Sequence, residues 1–371
     1  MHWPFCPYKC HFCDFVALAK HDQFMERYHM ALRAEVAAYA RCFSKKMPLD
    51  TLFLGGGTPS TYPDHLLLDM FGTLKEVFDF SATAEVTIEV NPGTVRPEQL
   101  QLWKEIGINR LSIGVQSLKD PVLQKLNRLQ SAADVYKALE LAQPLFENIS
   151  VDLIVGLPGI SDNDWKELLH TVVTWPIKHV SVYFLTVHEN TQLYFGIKTK
   201  KVTLPCDDSV VDLYYWTIDF LAKHNFMQYE ISNFAHVGYE SRHNQAYWNH
   251  VPYKAFGLGA CSFDGKRRIQ NQKNLIKYLE GIEQNTDITS FAEELSPEQY
   301  RLERLMLGLR RRCGLQFQAL MDGLSDEQQS VLEKRIADCM EKKLLERKGD
   351  CLVLTPTGLA VENEIIVTLS L

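Results

Sequence analysis

The run Cys6-Pro-Tyr-Lys-Cys10-His-Phe-Cys13-Asp14-Phe15 opens a 371-residue chain and decides how the rest is read. Its cysteines follow a Cys-x3-Cys-x2-Cys spacing on a short loop rich in aromatic residues. Soft thiolates suit iron–sulfur ligation, and three on one loop can hold three irons of a cubane cluster. No fourth cysteine lies nearby, so one iron is left open to bind a small molecule. The competing reading is structural zinc, which wants four ligands, usually in paired knuckles. Here the fourth would have to be His2 or His11, and there is no second Cys-x2-Cys. A disulfide framework fits poorly, because 9 cysteines is an odd number and the others are scattered. Cys42, Cys206, Cys261, Cys313, Cys339 and Cys351 read as ordinary thiols.

Composition bounds the rest. Hydrophobic content of 46% and charged content of 23% are ordinary for a globular chain. The length allows one large domain and a smaller one. A net charge of −7 argues against a broad nucleic-acid footprint. No apolar run approaches the ~18 residues of a membrane span, so no transmembrane segment is expected. The first residues lack the basic region and apolar core of a signal peptide. A reducing, cytoplasmic location is the expectation.

Outward from the cysteine loop, residues up to about 230 alternate between β-rich runs and helix-like stretches. Strands are predicted over 51–54, 86–90, 110–115, 149–155 and 179–185, each rich in Val, Ile and Leu as a strand buried on both faces should be. Helices are predicted near 22–40, 63–78, 97–106, 131–145, 162–173 and 207–224, several of them behind a good cap or a proline. Repeated β–α units make an α/β fold with a parallel sheet, open or closed into a barrel. Chemistry in such folds collects at the C-terminal strand ends. The unusual residues fall there: Gly55-Gly56-Gly57-Thr58-Pro59, Glu89 before Asn91-Pro92-Gly93, Gln116, and Asp152 in a run ending Gly156-Leu-Pro158-Gly159. Glycines let backbone approach a ligand, and the polar side chains accept from amino and hydroxyl groups. Taken singly, the glycine run is a turn and each acid a salt-bridged strand residue. The run matches neither a dinucleotide fingerprint nor a phosphate loop.

Residues 229–264 read differently, with Ser241-Arg242-His243-Asn244-Gln-Ala-Tyr247-Trp248 at their centre. His243 beside aromatic residues and an arginine suits a flat macrocycle with an acidic edge; a buried, hydrogen-bonded histidine at a helix start is the plainer alternative. From about 291, two helices near 296–312 and 325–344 and a strand pair over 349–355 suggest a winged-helix-like module. Arg310, Arg311 and Arg312 read as a solvated helix face rather than a nucleic-acid contact. The boundaries predicted are a core barrel over 1–235, a connecting region over 236–290 and a C-terminal domain over 291–371.

Together these residues resemble the radical S-adenosylmethionine superfamily, in the branch holding oxygen-independent coproporphyrinogen III oxidases and HemW-type haem chaperones. The resemblance spans nearly the whole chain and rests on Pro4-Phe5-Cys6, Cys10-His-Phe-Cys13-Asp14-Phe15, Gly55-Gly-Gly-Thr-Pro59, Ile88-Glu-Val-Asn-Pro92, Ser112-Ile-Gly-Val-Gln-Ser117 and Val151-Asp-Leu-Ile-Val-Gly-Leu-Pro158. Two details favour the chaperones. Oxidases continue after the third cysteine with a small residue and another cysteine, where this chain has Asp14-Phe15. His243-Asn-Gln-Ala-Tyr-Trp248 resembles a His-Asn-x-x-Tyr-Trp signature tied to haem binding.

The resemblance implies a partial (β/α)6 radical SAM barrel with a C-terminal helical, winged-helix-like module. It implies that Cys6, Cys10 and Cys13 bind a 4Fe–4S cluster. Gly56, Gly57, Thr58, Glu89, Gln116, Arg128 and Asp152 match positions contacting S-adenosylmethionine; Phe12 is counted with them. His243 would bind haem. The expected partners are haem and haem-accepting proteins, respiratory enzymes at the membrane among them, with no nucleic acid. Catalysis is left open: no catalytic residue is assigned, and the alternative is oxidative decarboxylation of coproporphyrinogen III. Family members carry further residues ahead of the position matching His2, including a tyrosine that contacts S-adenosylmethionine. Either the start is assigned late or the cofactor site is weakened, and the first barrel strand is expected to shrink to almost nothing.

Overall fold

The computed structural model describes residues 1–370. Six strands pair side by side in chain order, all parallel: β1 (His2–Trp3), β2 (Met47–Gly56), β3 (Phe78–Val90), β4 (Arg110–Gln116), β5 (Asn148–Val155) and β6 (His179–Phe184). Sequential order with helical crossovers curls a parallel sheet toward a barrel. Here β1 and β6 do not meet, so the result is a partial (β/α)6 barrel. Two short strands, β7 (Met227–Gln228) and β8 (Asn233–Ala235), extend the β6 edge in antiparallel fashion.

The helices α1 (Met25–Ala40), α2 (Asp64–Val77), α3 (Pro97–Ile106), α4 (Ala132–Ala142), α5 (Asp162–Val172) and α6 (Asp207–Lys223) connect or follow these strands. Ser131 and Ser161 close capping boxes with Asp134 and Asp164, which is why α4 and α5 start where they do. Leu111, Ile113, Val115, Ile149, Val151, Leu153, Val155, Val180 and Val182 are fully buried, so the apolar face of each strand is covered by helices. The strands run longer than their aliphatic stretches. Met47–Leu49 pair with Phe78–Phe80 ahead of a bulge, and their mixture of Pro, Asp and aromatic residues hides that pairing from a hydrophobic pattern.

After β8 the chain forms α7 (Arg242–Trp248) and an antiparallel sheet of β9 (Cys261–Phe263), β10 (Arg267–Asn271) and β11 (Thr289–Glu294), with α8 (Leu275–Glu283) between the last two. This region shares the barrel's core, which runs from Trp3 to Leu279 and takes in Phe256, Leu258 and Tyr278. Glu35 of α1 fastens it: Tyr278, Asn271 and the Gly257 amide each donate to its buried carboxylate at 2.8 Å.

The C-terminal module has a core of its own, from Leu305 to Leu369. It comprises α9 (Pro297–Leu309), β12 (Leu315–Gln316), α10 (Asp326–Glu341), β13 (Leu345–Lys348), β14 (Cys351–Leu354) and α11 (Glu362–Leu369), with β14 central in a small antiparallel sheet. Helices beside a β-wing make it winged-helix-like. The arginine run is no solvated face. Arg310 Nε donates to Glu362 at 2.6 Å, Arg311 Nη1 to Asn249 at 2.5 Å, and the Arg312 amide to the Tyr229 carbonyl at 3.0 Å. All three are half-buried where the module meets the barrel. No helix among the described residues is long and apolar enough to cross a membrane.

Because the two cores are separate, Leu309→Ala is expected to cost the C-terminal module about 2–5 kcal/mol through the cavity it leaves. Denaturant unfolding, followed by the tryptophans of the barrel and by far-UV circular dichroism, should show the early transition confined to the module. A single unchanged transition would mean that Leu309, which is fully buried, contributes little.

Candidate cluster and cofactor site

The cysteine loop sits at the C-terminal mouth of the barrel. Phe5–Cys6 pairs in parallel with Leu18–Ala19 and so closes the loop at its base. Backbone bonds stitch the preceding residues to the glycine run: the Gly57 amide donates to Trp3 O at 2.8 Å and the Thr58 amide to Phe5 O at 2.9 Å. A Cβ on Gly57 would stand 2.5 Å from the Pro4 carbonyl oxygen, and one on Gly56 (φ 117°) would overlap the His2 ring. These two glycines therefore admit the chain's own cysteine-bearing segment. On the far side, the His11 amide donates to Leu126 O, the Leu193 amide to His11 O, and Asn91 Nδ2 to Tyr8 OH at 2.7 Å. Phe12 packs into a small cluster with Leu126, Leu157 and Leu193, outside the polar centre of the mouth.

Cys6 is buried, Cys10 and Cys13 are half-buried, and all three thiols are free. Thr58 Oγ1 donates to Cys6 Sγ at 3.2 Å and Arg128 Nη1 to Cys10 Sγ at 3.6 Å. Burial pushes the Cys6 thiol up to about 11 and raises Cys13 as well, so neither would ionise alone. Among the described residues no three His, Cys, Asp or Glu side chains converge to seat a single metal ion. Free soft donors with hydrogen bonds already aimed at sulfur fit a cluster that spreads its thiolates over separate irons.

The strand ends supply the polar lining. Glu89 of β3 accepts from the Gly56 amide at 3.1 Å. Burial, then the nearby Asp152 charge, pushes its carboxyl up to about 7. Asp152 of β5 accepts from Ser112 Oγ at 3.1 Å, and burial raises its pKa against the pull of Ser181 and Arg110. Gln116 ends β4 with φ 66°, a left-handed conformation taken at the bulge where β4 and β5 slip register. Arg128 Nη2 donates to Gly114 O at 2.5 Å, while its Nε is buried without a partner. A Cβ on Gly114 would lie 2.8 Å from Arg128 Nη2 and 3.0 Å from Gln116 Nε2, so this glycine admits both side chains. An orphaned guanidinium donor suits a carboxylate, and two raised carboxyls suit amino and hydroxyl groups. Sequence reasoning places Ser112, Gly114 and Asn91 in its motif runs but gives them no role, and it misses the sulfur contact of Thr58; these contacts are visible only once the strands are in register.

His243 lies elsewhere. It contacts Thr51 and Phe53 of β2, toward the opposite end of that strand from Gly55; four residues of strand put Thr51 and Gly55 roughly 13 Å apart. Its Nδ1 meets Thr51 Oγ1 at 2.8 Å, its Nε2 meets Tyr247 OH at 3.1 Å, and its ring stacks on Phe53. Burial drives its pKa down to about 3, so the ring is neutral. Glu85 of β3 anchors the helix start beneath it, accepting from the Arg242 and His243 amides at 3.0 Å and from Ser241 Oγ at 3.3 Å. The Phe53 ring lies between His243 and the strand end: His243 stacks on it, and a Cβ on Gly55 would stand 2.7 Å from it.

Comparison with known proteins places these features. The radical SAM superfamily profile matches residues 1–172, and the HemN C-terminal domain profile matches residues 295–361. The solved coproporphyrinogen III oxidase HemN of Escherichia coli, described as a radical SAM enzyme, superposes with a TM-score of 0.85 at 23% identity, over 100% of this chain and 88% of that one. A partial barrel with a three-cysteine loop at its mouth is the radical SAM class. Within that class, the chain is 32% identical to the heme chaperone HemW of Bacillus subtilis over 98% of its length and 97% of the relative's. It is 34% identical to the protein of the same name from Synechocystis over 98% of its length and 90% of the relative's. The chain belongs to the HemW family.

Glu89 gives a pH test. A carboxyl raised in the folded state contributes stability that is complete below its unfolded pKa and is lost as pH rises through the folded value. The ligand-free protein should therefore lose stability between about pH 4.5 and pH 7. Glu89→Gln should melt higher than the parent above pH 7, with the difference shrinking toward pH 4. Parallel melting curves across that window would show that Glu89 ionises freely.

Proposed function

We propose that the chain is a radical SAM haem chaperone: it holds a 4Fe–4S cluster and S-adenosylmethionine at the barrel mouth, takes up haem and passes it to haem-requiring proteins. The observation that carries this reading is the loop of three free thiols, braced by Thr58 and Arg128, in a chain matching relatives named heme chaperone HemW from end to end.

Cys6, Cys10 and Cys13 would hold three irons, and the cluster when bound supplies reducing electrons and an open iron. Arg128 orients a carboxylate through its unpartnered Nε. Glu89 and Asp152 receive amino and hydroxyl groups; burial raises both carboxyls, and Glu89, pushed up to about 7, donates as well as accepts near neutral pH. Gln116, turned inward by its left-handed backbone, adds an amide to the wall. Thr58 and Arg128 keep donors on sulfur and so disfavour loss of the cluster to water. The partners we infer are haem and the proteins that receive it, membrane respiratory enzymes among them, in a reducing cytoplasm that leaves the loop thiols free. The region 236–290 serves as the connection between barrel and C-terminal domain.

Substituting Cys6, Cys10 or Cys13 by Ala should each abolish the brown colour and the bound iron and sulfide, while haem titration of the parent protein gives stoichiometric uptake. Retained colour in all three variants, or bound zinc in place of iron, would overturn the cluster. Anaerobic turnover of coproporphyrinogen III to protoporphyrinogen would replace the chaperone reading with the oxidase one.

A further inference from the structure

The segment that leads into the cysteine loop also carries Trp3 of β1. Its indole stacks on Tyr62, just past the glycine run, with ring centres 3.7 Å apart and 14° between the planes. Trp3 Nε1 donates to Thr61 Oγ1 at 3.2 Å, which fixes the indole in that stack. The Phe5 ring lies 4.8 Å from the same indole, and Phe5 directly precedes Cys6. Trp3, Phe5 and Tyr62 are all buried, so a line of rings in contact runs inward from the first cysteine.

Tyr62 ends this line on a base. Its hydroxyl meets His29 Nδ1 of α1 at 2.8 Å, and His29 Nε2 meets Asp69 Oδ2 of α2 at 2.8 Å. A carboxylate only accepts, so Nε2 carries the imidazole proton and Nδ1 accepts from the phenol. Burial holds the His29 pKa below its ordinary value against the pull of Asp69, so the ring is neutral and Nδ1 keeps its lone pair. Asp69 is 44% exposed and also pairs with Arg33 at 3.0 Å, so the far end of these bonds meets water. The neighbouring tyrosines differ. Tyr28 packs edge-on against Trp3, but its hydroxyl donates to the His2 carbonyl, which cannot take a proton. Tyr278 touches Tyr28 instead, and its acceptor, Glu35, is buried.

A phenol gives up an electron readily only when its proton can leave with it. Of the three tyrosines, Tyr62 alone joins Trp3 to a base that leads to solvent. We propose that Trp3, Tyr62 and His29 form an oxidation relay, which draws oxidising equivalents away from the cysteine mouth. The oxidants it meets are radicals of the hydroxyl class, which peroxide yields at reduced iron. Such a radical takes one electron from Trp3 and becomes hydroxide. Tyr62 returns an electron to the indole radical cation as its O–H bond breaks, and the phenol proton passes to His29 Nδ1. His29 releases its Nε2 proton to water past Asp69, and the hydroxide takes one up. The net change is phenol plus hydroxyl radical to phenoxyl radical plus water. A small-molecule thiol then restores the phenol by giving it a hydrogen atom, leaving a thiyl radical. The damage is thereby kept off Cys6, Cys10 and Cys13, whose oxidation beyond the sulfenic stage is not reversed.

The test uses the full-length protein, reconstituted with iron and sulfide, mixed with hydrogen peroxide and rapidly frozen for high-field electron paramagnetic resonance. The parent should show a tyrosyl radical whose g-values carry the shift of a hydrogen bond from histidine. Tyr62→Phe should lose that signal, and peptide mass spectrometry should then find more oxidised Trp3 and more sulfonic acid at the three cysteines. Trp3→Phe should also lose the signal, although Tyr62 is present. His29→Gln, which accepts a hydrogen bond but is no base, should lower the radical yield and raise Trp3 oxidation. Parental far-UV circular dichroism and iron content before peroxide is added keep misfolding from mimicking these results. A tyrosyl signal of parental shape and yield in Tyr62→Phe, or parental oxidation of Trp3 and the cysteines in both Tyr62→Phe and His29→Gln, overturns the relay. Flash oxidation of the iron-free protein by tris(bipyridine)ruthenium(III) reads the same radical without a cluster. A protein that binds no iron therefore overturns the cluster, while the flash decides the relay by the same losses in the same variants.

Discussion

The close approach of the first residues to the glycine run is the contact on which the rest of the mouth depends. Gly57 has 2.5 Å between its missing Cβ and the Pro4 carbonyl oxygen, and any other residue there would push Phe5 and Cys6 outward. Three thiols can stay reduced, unpaired and correctly spaced only if their short loop is fixed at both ends. Bonds from Gly57 and Thr58 fix the start, and contacts to Leu126, Leu193 and Asn91 fix the remainder. Thr58 then serves twice: its amide holds the backbone, and its hydroxyl reaches the sulfur of the residue that backbone presents.

The second constraint is the polarity of the barrel's interior. Alternate residues of the strands point inward, and here they include Glu85, Glu89, Ser112, Asp152, Ser150, His179 and Ser181. A dry interior makes such groups costly unless they are paired. Toward the N-terminal strand ends the pairing is internal: His179 is satisfied by Ser150 and Tyr229, and Glu85 by the start of α7. Toward the mouth it is incomplete. Glu89 and Asp152 are both raised, Arg128 Nε has no partner, and a zwitterionic ligand with hydroxyls would offset these costs together. One end of the barrel is closed by its own side chains, and the other is built to be completed by a ligand.

Much of this was legible in the sequence. The aliphatic runs marked β4, β5 and β6 within a residue or two, because strands buried on both faces leave an unbroken apolar signature. The cysteine loop and the strand-end acids were visible because rare residue types at fixed spacing carry chemistry directly. The glycine run was also visible, but its partner was not: it looked open to a ligand, whereas two of its glycines meet His2 and Pro4. His243 does sit among aromatic rings, and Tyr247, four residues on, is the one that the sequence makes visible. The decisive contacts of His243 are with Thr51 and Phe53, from a strand some 190 residues earlier, and no local pattern announces them. Arg310, Arg311 and Arg312 were misread for the same reason, since their acceptors Glu362, Asn249 and Leu354 belong to three different segments.

The most direct test of a cysteine mouth completed by a ligand is electron paramagnetic resonance of the reduced, reconstituted protein with and without S-adenosylmethionine. An open iron beside Glu89, Asp152 and Arg128 predicts that the cofactor changes the cluster signal, and that the change is lost when Gly114→Ala crowds Arg128 and Gln116. A cluster signal indifferent to S-adenosylmethionine in the parent protein would contradict it.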